Sequence, residues 1–134
     1  MRSIDTNVLV RLLVADDPKQ SAAARALAYR VGRSGGTLFV PLTVVLELEW
    51  VLRSRYGYPK KAIVEVVASL LEARELEFQD EATLEQALHY YRSESVDFAD
   101  CLHLAAAARN GRLPFITLDR KATRLPGATM LADA

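Results

Sequence analysis

The chain has 134 residues, 51% of them hydrophobic and 25% charged, with 17 basic side chains balancing 17 acidic ones. That size suits a single domain with a real core, and the neutral balance points to neither a nucleic-acid nor a membrane partner, although opposite charges can still segregate onto different faces. A lone cysteine, Cys101, excludes an internal disulfide, and with no basic leader and no apolar run of about 18–20 residues the expectation is a cytoplasmic protein without a membrane partner.

Along the chain, short apolar runs alternate with longer helical patterns. The stretch "RSID" reads as a buried strand and "NVLVRLLVA" as the helix after it. In "DDPKQSAAARALAYRVGRSGG", Asp17 is placed as an N-cap, Pro18 as the first helical residue, and glycines close the helix. A second strand, "TLFVP", precedes the periodic helix "LTVVLELEWVLRSRYG", with Thr43 placed to cap it and Gly57 to end it. Pro59 starts the next helix, "YPKKAIVEVVASLLEA", and "LEFQ" is a short strand. Two further helices, "DEATLEQALHYYRS" and "DFADCLHLAAAARNG", each carry Asp near their start, and Gly111 stops the second. The strand "LPFITL", a basic turn and a weak last strand, "ATML", complete the chain. Strands separated by helices predict a parallel sheet covered by helices, in one domain over residues 1–134 with no repeat or linker.

In such a sheet, ligands bind outside the carboxyl ends of the strands. Asp5 and Asp119 both fall at strand ends, so they are candidates for one site, although a helix N-cap explains either one singly. In the third helix, helical spacing puts Val44, Leu48 and Val51 on the buried stripe and Glu47 at its border. Glu49 points the other way, as a solvated surface acid. Asp97 and Asp100 share a face at the start of their helix, where the dipole favours negative charge. His103, one turn after Asp100, reads as a hydrogen-bonded core histidine, and Cys101 as an inert buried thiol.

Four stretches, "IDTNVLVRLL", "LELEWVL", "DFADCLHLAAAA" and "PFITLDRKA", together resemble the motifs of PIN-domain ribonucleases, in particular the VapC-like toxins of toxin–antitoxin pairs. The resemblance covers essentially the whole chain. It implies a three-layer α/β/α fold with a central parallel sheet of about five strands. It places the family's catalytic, metal-binding acids on Asp5, Glu47, Asp100 and Asp119, with Asn7, Asp97 and Thr117 in supporting positions. The implied activity is a metal-dependent endoribonuclease that hydrolyses RNA phosphodiesters by in-line attack of an activated water. Converging carboxylates would raise one another's pKa unless cations neutralise them, and an all-oxygen set selects Mg²⁺, or Mn²⁺ in its place.

Arg11, Arg120, Lys121 and Arg124 lie near the same strand ends and are the candidate RNA phosphate contacts. The expected partners are the RNA substrate, a cognate antitoxin and a second copy of the chain. Leu12, Leu13, Leu46 and Trp50 are apolar residues available for that dimer. Two other classes share these features. A phosphate-receiving signalling domain also gathers acids, a Thr and a Lys at strand ends, as Thr117 and Lys121 could. A catalytically silent PIN-fold module would bind RNA or protein without cutting.

Overall fold

Three short strands, β1 (Arg2–Ser3), β2 (Leu38–Val40) and β3 (Leu76–Phe78), pair in parallel in the order β1–β2–β3. They belong to a computed structural model that describes residues 2–134. Alternation explains β2 and β3: Leu38 and Val40 of β2, and Leu76 and Phe78 of β3, are buried, while Glu77 between the last pair is exposed. Parallel strands need long crossovers, and helices supply them. Between β1 and β2 run α1 (Thr6–Leu13) and α2 (Pro18–Arg33), and between β2 and β3 run α3 (Leu42–Ser54) and α4 (Lys60–Leu71). Helices α5 (Glu81–Ser93) and α6 (Phe98–Arg109) follow β3. The last strands, β4 (Phe115–Thr117) and β5 (Ala128–Met130), form a parallel pair of their own around a 3₁₀ turn over Arg120–Arg124.

The α/β class and the parallel pairing follow the expectation, but the five strands divide into a sheet of three and a sheet of two. The physical reason is strand length. β1 spans two residues, both exposed, and its ladder runs to β2 alone among the described residues.

The helix boundaries are set by local chemistry. Asp17 caps α2 by accepting the Gln20 N–H at 3.1 Å, with Pro18 as first residue. Helix α6 ends where Gly111 takes φ +67°, the left-handed closure that costs glycine little. Thr43 does not cap α3. Pro41 stands at that position without a side-chain bond, and the Leu42 N–H is satisfied instead by Gln79 Oε1 at 2.8 Å. Pro59 likewise precedes α4, which begins at Lys60.

Helix α3 touches α1, α4 and α6. Its buried arc is therefore wide: Val45, Leu48, Val51 and Leu52 enter the core, whereas Val44 is only partly buried. This shifts the stripe read from the sequence by one residue and carries Glu49 inward with it. Helices α5 and α6 pack closely together, and Leu84, Ala87 and Leu104 are almost wholly buried. That packing fixes the start of α6, where the acids lie. No described helix is long and apolar enough to cross a membrane.

Candidate active site

The N-terminus of α6 and the turn after β4 bring three carboxylates together. Asp97 occupies the N-cap of α6, yet its side chain makes no capping hydrogen bond. Asp100 follows in the first turn, and Asp119 leads the 3₁₀ turn beyond β4. One carboxylate oxygen from each lies within 4.8 Å of the others. Asp97 and Asp119 are exposed and Asp100 is half-buried. No ion pair among the described residues neutralises the three.

The electrostatic consequence falls on Asp100. Burial, then the charges of Asp119 and Asp97, raise its pKa above the ordinary 3.8, while His103 opposes the shift. The turn that presents Asp119 is held at two points. Thr117 Oγ1 accepts the Asp119 N–H at 3.0 Å, and Asp119 Oδ1 accepts the Lys121 N–H at 2.9 Å. Thr117 thus braces the turn that presents Asp119.

Asp5 and Glu47 stand apart from this trio. Asp5 caps α1, its Oδ1 accepting the Val8 N–H at 3.1 Å. The buried Thr6 hydroxyl donates to Glu47 Oε1 and ties the start of α1 to α3. Glu47 is exposed and shares a groove of about 780 Å³ with Asp97, so acids from α3 and α6 line one opening. Asn7 is exposed and faces a different hollow, with Arg11 and Gln20. Thr6 escaped the sequence reading. Its signal was a short hydroxyl in "DTN", between two polar neighbours at a strand end.

Glu49 overturns its expectation as a solvated acid. It is 4% exposed, accepts from Arg53 Nε at 2.8 Å and receives the Tyr91 hydroxyl at 3.0 Å. A carboxylate is tolerated there because a cation and a donor replace its water. Burial, followed by the Glu49 charge, holds the Tyr91 hydroxyl well above the ordinary tyrosine range. His103 is also corrected. It is exposed, its ring 6.3 Å from that of Phe115, rather than a core histidine. Cys101 is fully buried and its thiol is pushed up to about 12, chiefly by burial, so it is inert as expected.

The four basic candidates divide. Arg11 is engaged within the protein, by Gln20 at 2.7 Å, Asp16 at 3.1 Å and the Tyr56 hydroxyl at 3.5 Å. Arg120, Lys121 and Arg124 are exposed on the turn that starts at Asp119, with no ion pair among the described residues. Leu12 and Leu13 line a groove with Leu70 and Leu76, whereas Leu46 and Trp50 line the one beside Asp97. The four apolar residues therefore do not form a single face.

Comparison with known proteins agrees with this arrangement. The PIN domain profile matches residues 3–128. The chain is also similar to a VapC ribonuclease of Aquifex aeolicus (strain VF5), with 26% identity over 125 residues, covering 93% of this chain and 92% of that protein.

Proposed function

The chain belongs to the PIN-domain family, and from that premise we propose that it is a metal-dependent endoribonuclease, the toxin of a toxin–antitoxin pair. The observation that carries this reading is the trio Asp97, Asp100 and Asp119, three hard-oxygen donors within 4.8 Å and without a paired cation among the described residues. Such a donor set fits Mg²⁺, with Mn²⁺ as substitute, better than a softer metal. Burial first, and then repulsion from Asp119 and Asp97, raise the Asp100 pKa, and a divalent cation would offset that repulsion. When bound, the ion supplies an activated water for in-line attack and neutralises charge on the phosphodiester.

The protein's own groups then have separate tasks. Asp100 and Asp119 would hold the ion, with Asp97 completing the set from the N-cap of α6, while Asp5 at the N-cap of α1 and Glu47 in the middle of α3 supply the cleft's remaining acids. Thr117 and Thr6 keep Asp119 and Glu47 in place through the hydrogen bonds described above. Arg120, Lys121 and Arg124 meet the RNA backbone on either side of the scissile phosphate. Hydrolysis leaves a 5′-phosphate and a 3′-hydroxyl, without a covalent enzyme intermediate.

In keeping with the likeness to a VapC ribonuclease, the proposed partner is a cognate antitoxin that covers the acidic cleft, and a second copy of the chain is proposed beside it. An antitoxin Arg suits the cleft, because a guanidinium pairs with a carboxylate through two parallel hydrogen bonds. The deciding experiment is cleavage of a labelled RNA in Mg²⁺, in Mn²⁺ and in EDTA, with the end groups identified. Cleavage in both metals and none in EDTA is expected; cleavage that survives EDTA overturns the proposal. Light scattering at tens of micromolar reads the dimer, and a strict monomer removes it. The product of the adjacent gene should co-purify and block cleavage.

A further inference from the structure

The groove shared by Glu47 and Asp97 has features that metal binding does not use. Its apolar wall is Leu46, Trp50 and Phe98, and its polar positions include the hydroxyls of Thr43 and Ser95. Trp50 is 48% exposed, the chain's single tryptophan left largely in water. The Arg55 guanidinium lies over its indole, 5.8 Å from the centroid, a cation–π contact that steadies the ring at the edge of the groove.

Charge narrows the occupant. The Glu49 carboxylate is cancelled by Arg53, and the groove's remaining ions are the acids Glu47 and Asp97 against Lys60. Lys60 is itself occupied, its Nζ 4.9 Å from the Tyr91 ring centroid and donating to the Glu94 carbonyl at 2.6 Å. A phosphate is therefore repelled from this groove, whereas a neutral aromatic ring is not. Asp97 belongs both to the groove and to the carboxylate trio, so a nucleotide whose phosphate meets the acids has this opening beside it.

We propose that the groove is a nucleobase subsite, in which an unpaired base next to the scissile phosphate stacks on Trp50. The inference rests on the RNA-cleaving reading above and deepens it. A paired base has its faces buried in the helix, so the subsite selects single-stranded or looped RNA. Stacking is tolerant of sequence, and the preference is for unpaired nucleotides rather than for one base.

Because Trp50 is the only tryptophan, its fluorescence reports the subsite without any cleavage. The intact protein is titrated in Ca²⁺, which screens the acids, with an oligoadenylate hexamer and with an abasic sugar–phosphate hexamer. Saturable quenching by the first and none by the second is expected. Absence of quenching by oligoadenylate overturns the subsite, whether or not the protein cuts RNA. So does a blue shift that appears with rising protein concentration alone, which would show the groove covered by a second copy. In Mg²⁺, Trp50→Ala should raise KM for a single-stranded RNA about tenfold with kcat little changed, and Trp50→Phe should recover most of it. A Trp50→Ala protein with the parent KM also overturns the proposal.

Discussion

Glu49 on α3 and Asp100 on α6 are both acids drawn out of bulk water by the packing of a helix, and their surroundings differ completely. Glu49 is almost fully buried, with the Arg53 guanidinium and the Tyr91 hydroxyl directed at its oxygens. Asp100 is half-buried, beside two more carboxylates and with no paired cation among the described residues. In the first place the fold supplies the counter-charge. In the second it gathers like charges, which lowers stability unless a ligand brings the missing positive charge. The difference separates an acid whose charge the fold itself balances from acids that, on the proposed reading, take their counter-charge from a metal ion.

The largest expected effect breaks the second group. Asp100→Asn keeps shape and removes charge, so RNA cleavage should fall ~10³-fold, about 4 kcal/mol of transition-state stabilisation. Metal-free, the variant should melt no lower than the parent, since one of three repelling charges is gone. Asp5→Asn is a useful companion, because an amide oxygen can still accept the Val8 N–H and cap α1. It too should lose cleavage while folding normally. A variant active on RNA yet less stable would mark these acids as helix caps and nothing more.

Next in size is the ion itself. At a hundredfold excess over its Kd, a ligand of the folded state adds about 2.7 kcal/mol, so Mg²⁺ should raise the melting temperature by several degrees. Asp100→Asn should abolish that rise and Glu49→Gln should leave it intact. Glu49→Gln is expected to cost ~1–3 kcal/mol of folding stability, because Arg53 and Tyr91 lose a charged acceptor. Cleavage should stay near the parent rate. Calorimetry of the two variants side by side, with and without Mg²⁺, therefore reverses the order of damage between stability and activity.

A pH series sharpens the contrast further. Asp100 has its pKa raised in the folded state, so the metal-free fold is stabilised when this group is protonated. That contribution is complete below the unfolded value and is lost as pH rises through the folded one. In EDTA, Asp100→Asn should therefore out-melt the parent at neutral pH, and the gap should close on acidification below the ordinary value of 3.8. In Mg²⁺ the parent should instead lose stability as acid displaces the ion. A gap in EDTA that is independent of pH would show that Asp100 is not held in its charged form against repulsion.

Much of this contrast could be read from the chain, and the parts that could not have a common cause. Strand–helix alternation and glycine or proline punctuation are local, and they located every strand and helix. The positions of Asp100 and Asp119 were legible because a helix start and a strand end are fixed by local pattern, whereas their shared role was offered only by the family resemblance. Glu49 was not. Whether an acid on a helix is solvated depends on what packs against it, and the partner that shields it, Tyr91, is 42 residues away. A period of 3.6 residues with α3 enclosed by three neighbours leaves the stripe uncertain by one position, enough to exchange Val44 for Val45. The bond from Thr6 to Glu47, across 41 residues, was hidden for the same reason. His103 was misplaced because an apolar run in sequence does not reveal which helix face lies at the edge of the packing.

The smallest expected effect sets Arg53 against Lys121. Both are cations near acids, but Arg53 is spent on Glu49 within the fold, while Lys121 is exposed on the turn after Asp119, with only its backbone N–H bonded there. If Lys121 meets an RNA phosphate, Lys121→Ala removes one released counterion. KM should rise about threefold and the salt dependence of RNA binding should flatten by about 0.7 in log–log slope, the value for one contact on a single strand. Stability should be unchanged, since a solvated surface charge contributes little. Arg53→Ala should do the reverse, destabilising the protein by stranding the buried Glu49 carboxylate and leaving the salt slope alone. Filter binding from low to moderate salt, paired with melting curves, reads both. A Lys121→Ala protein with the parent slope would place the RNA backbone elsewhere than on the turn that follows Asp119.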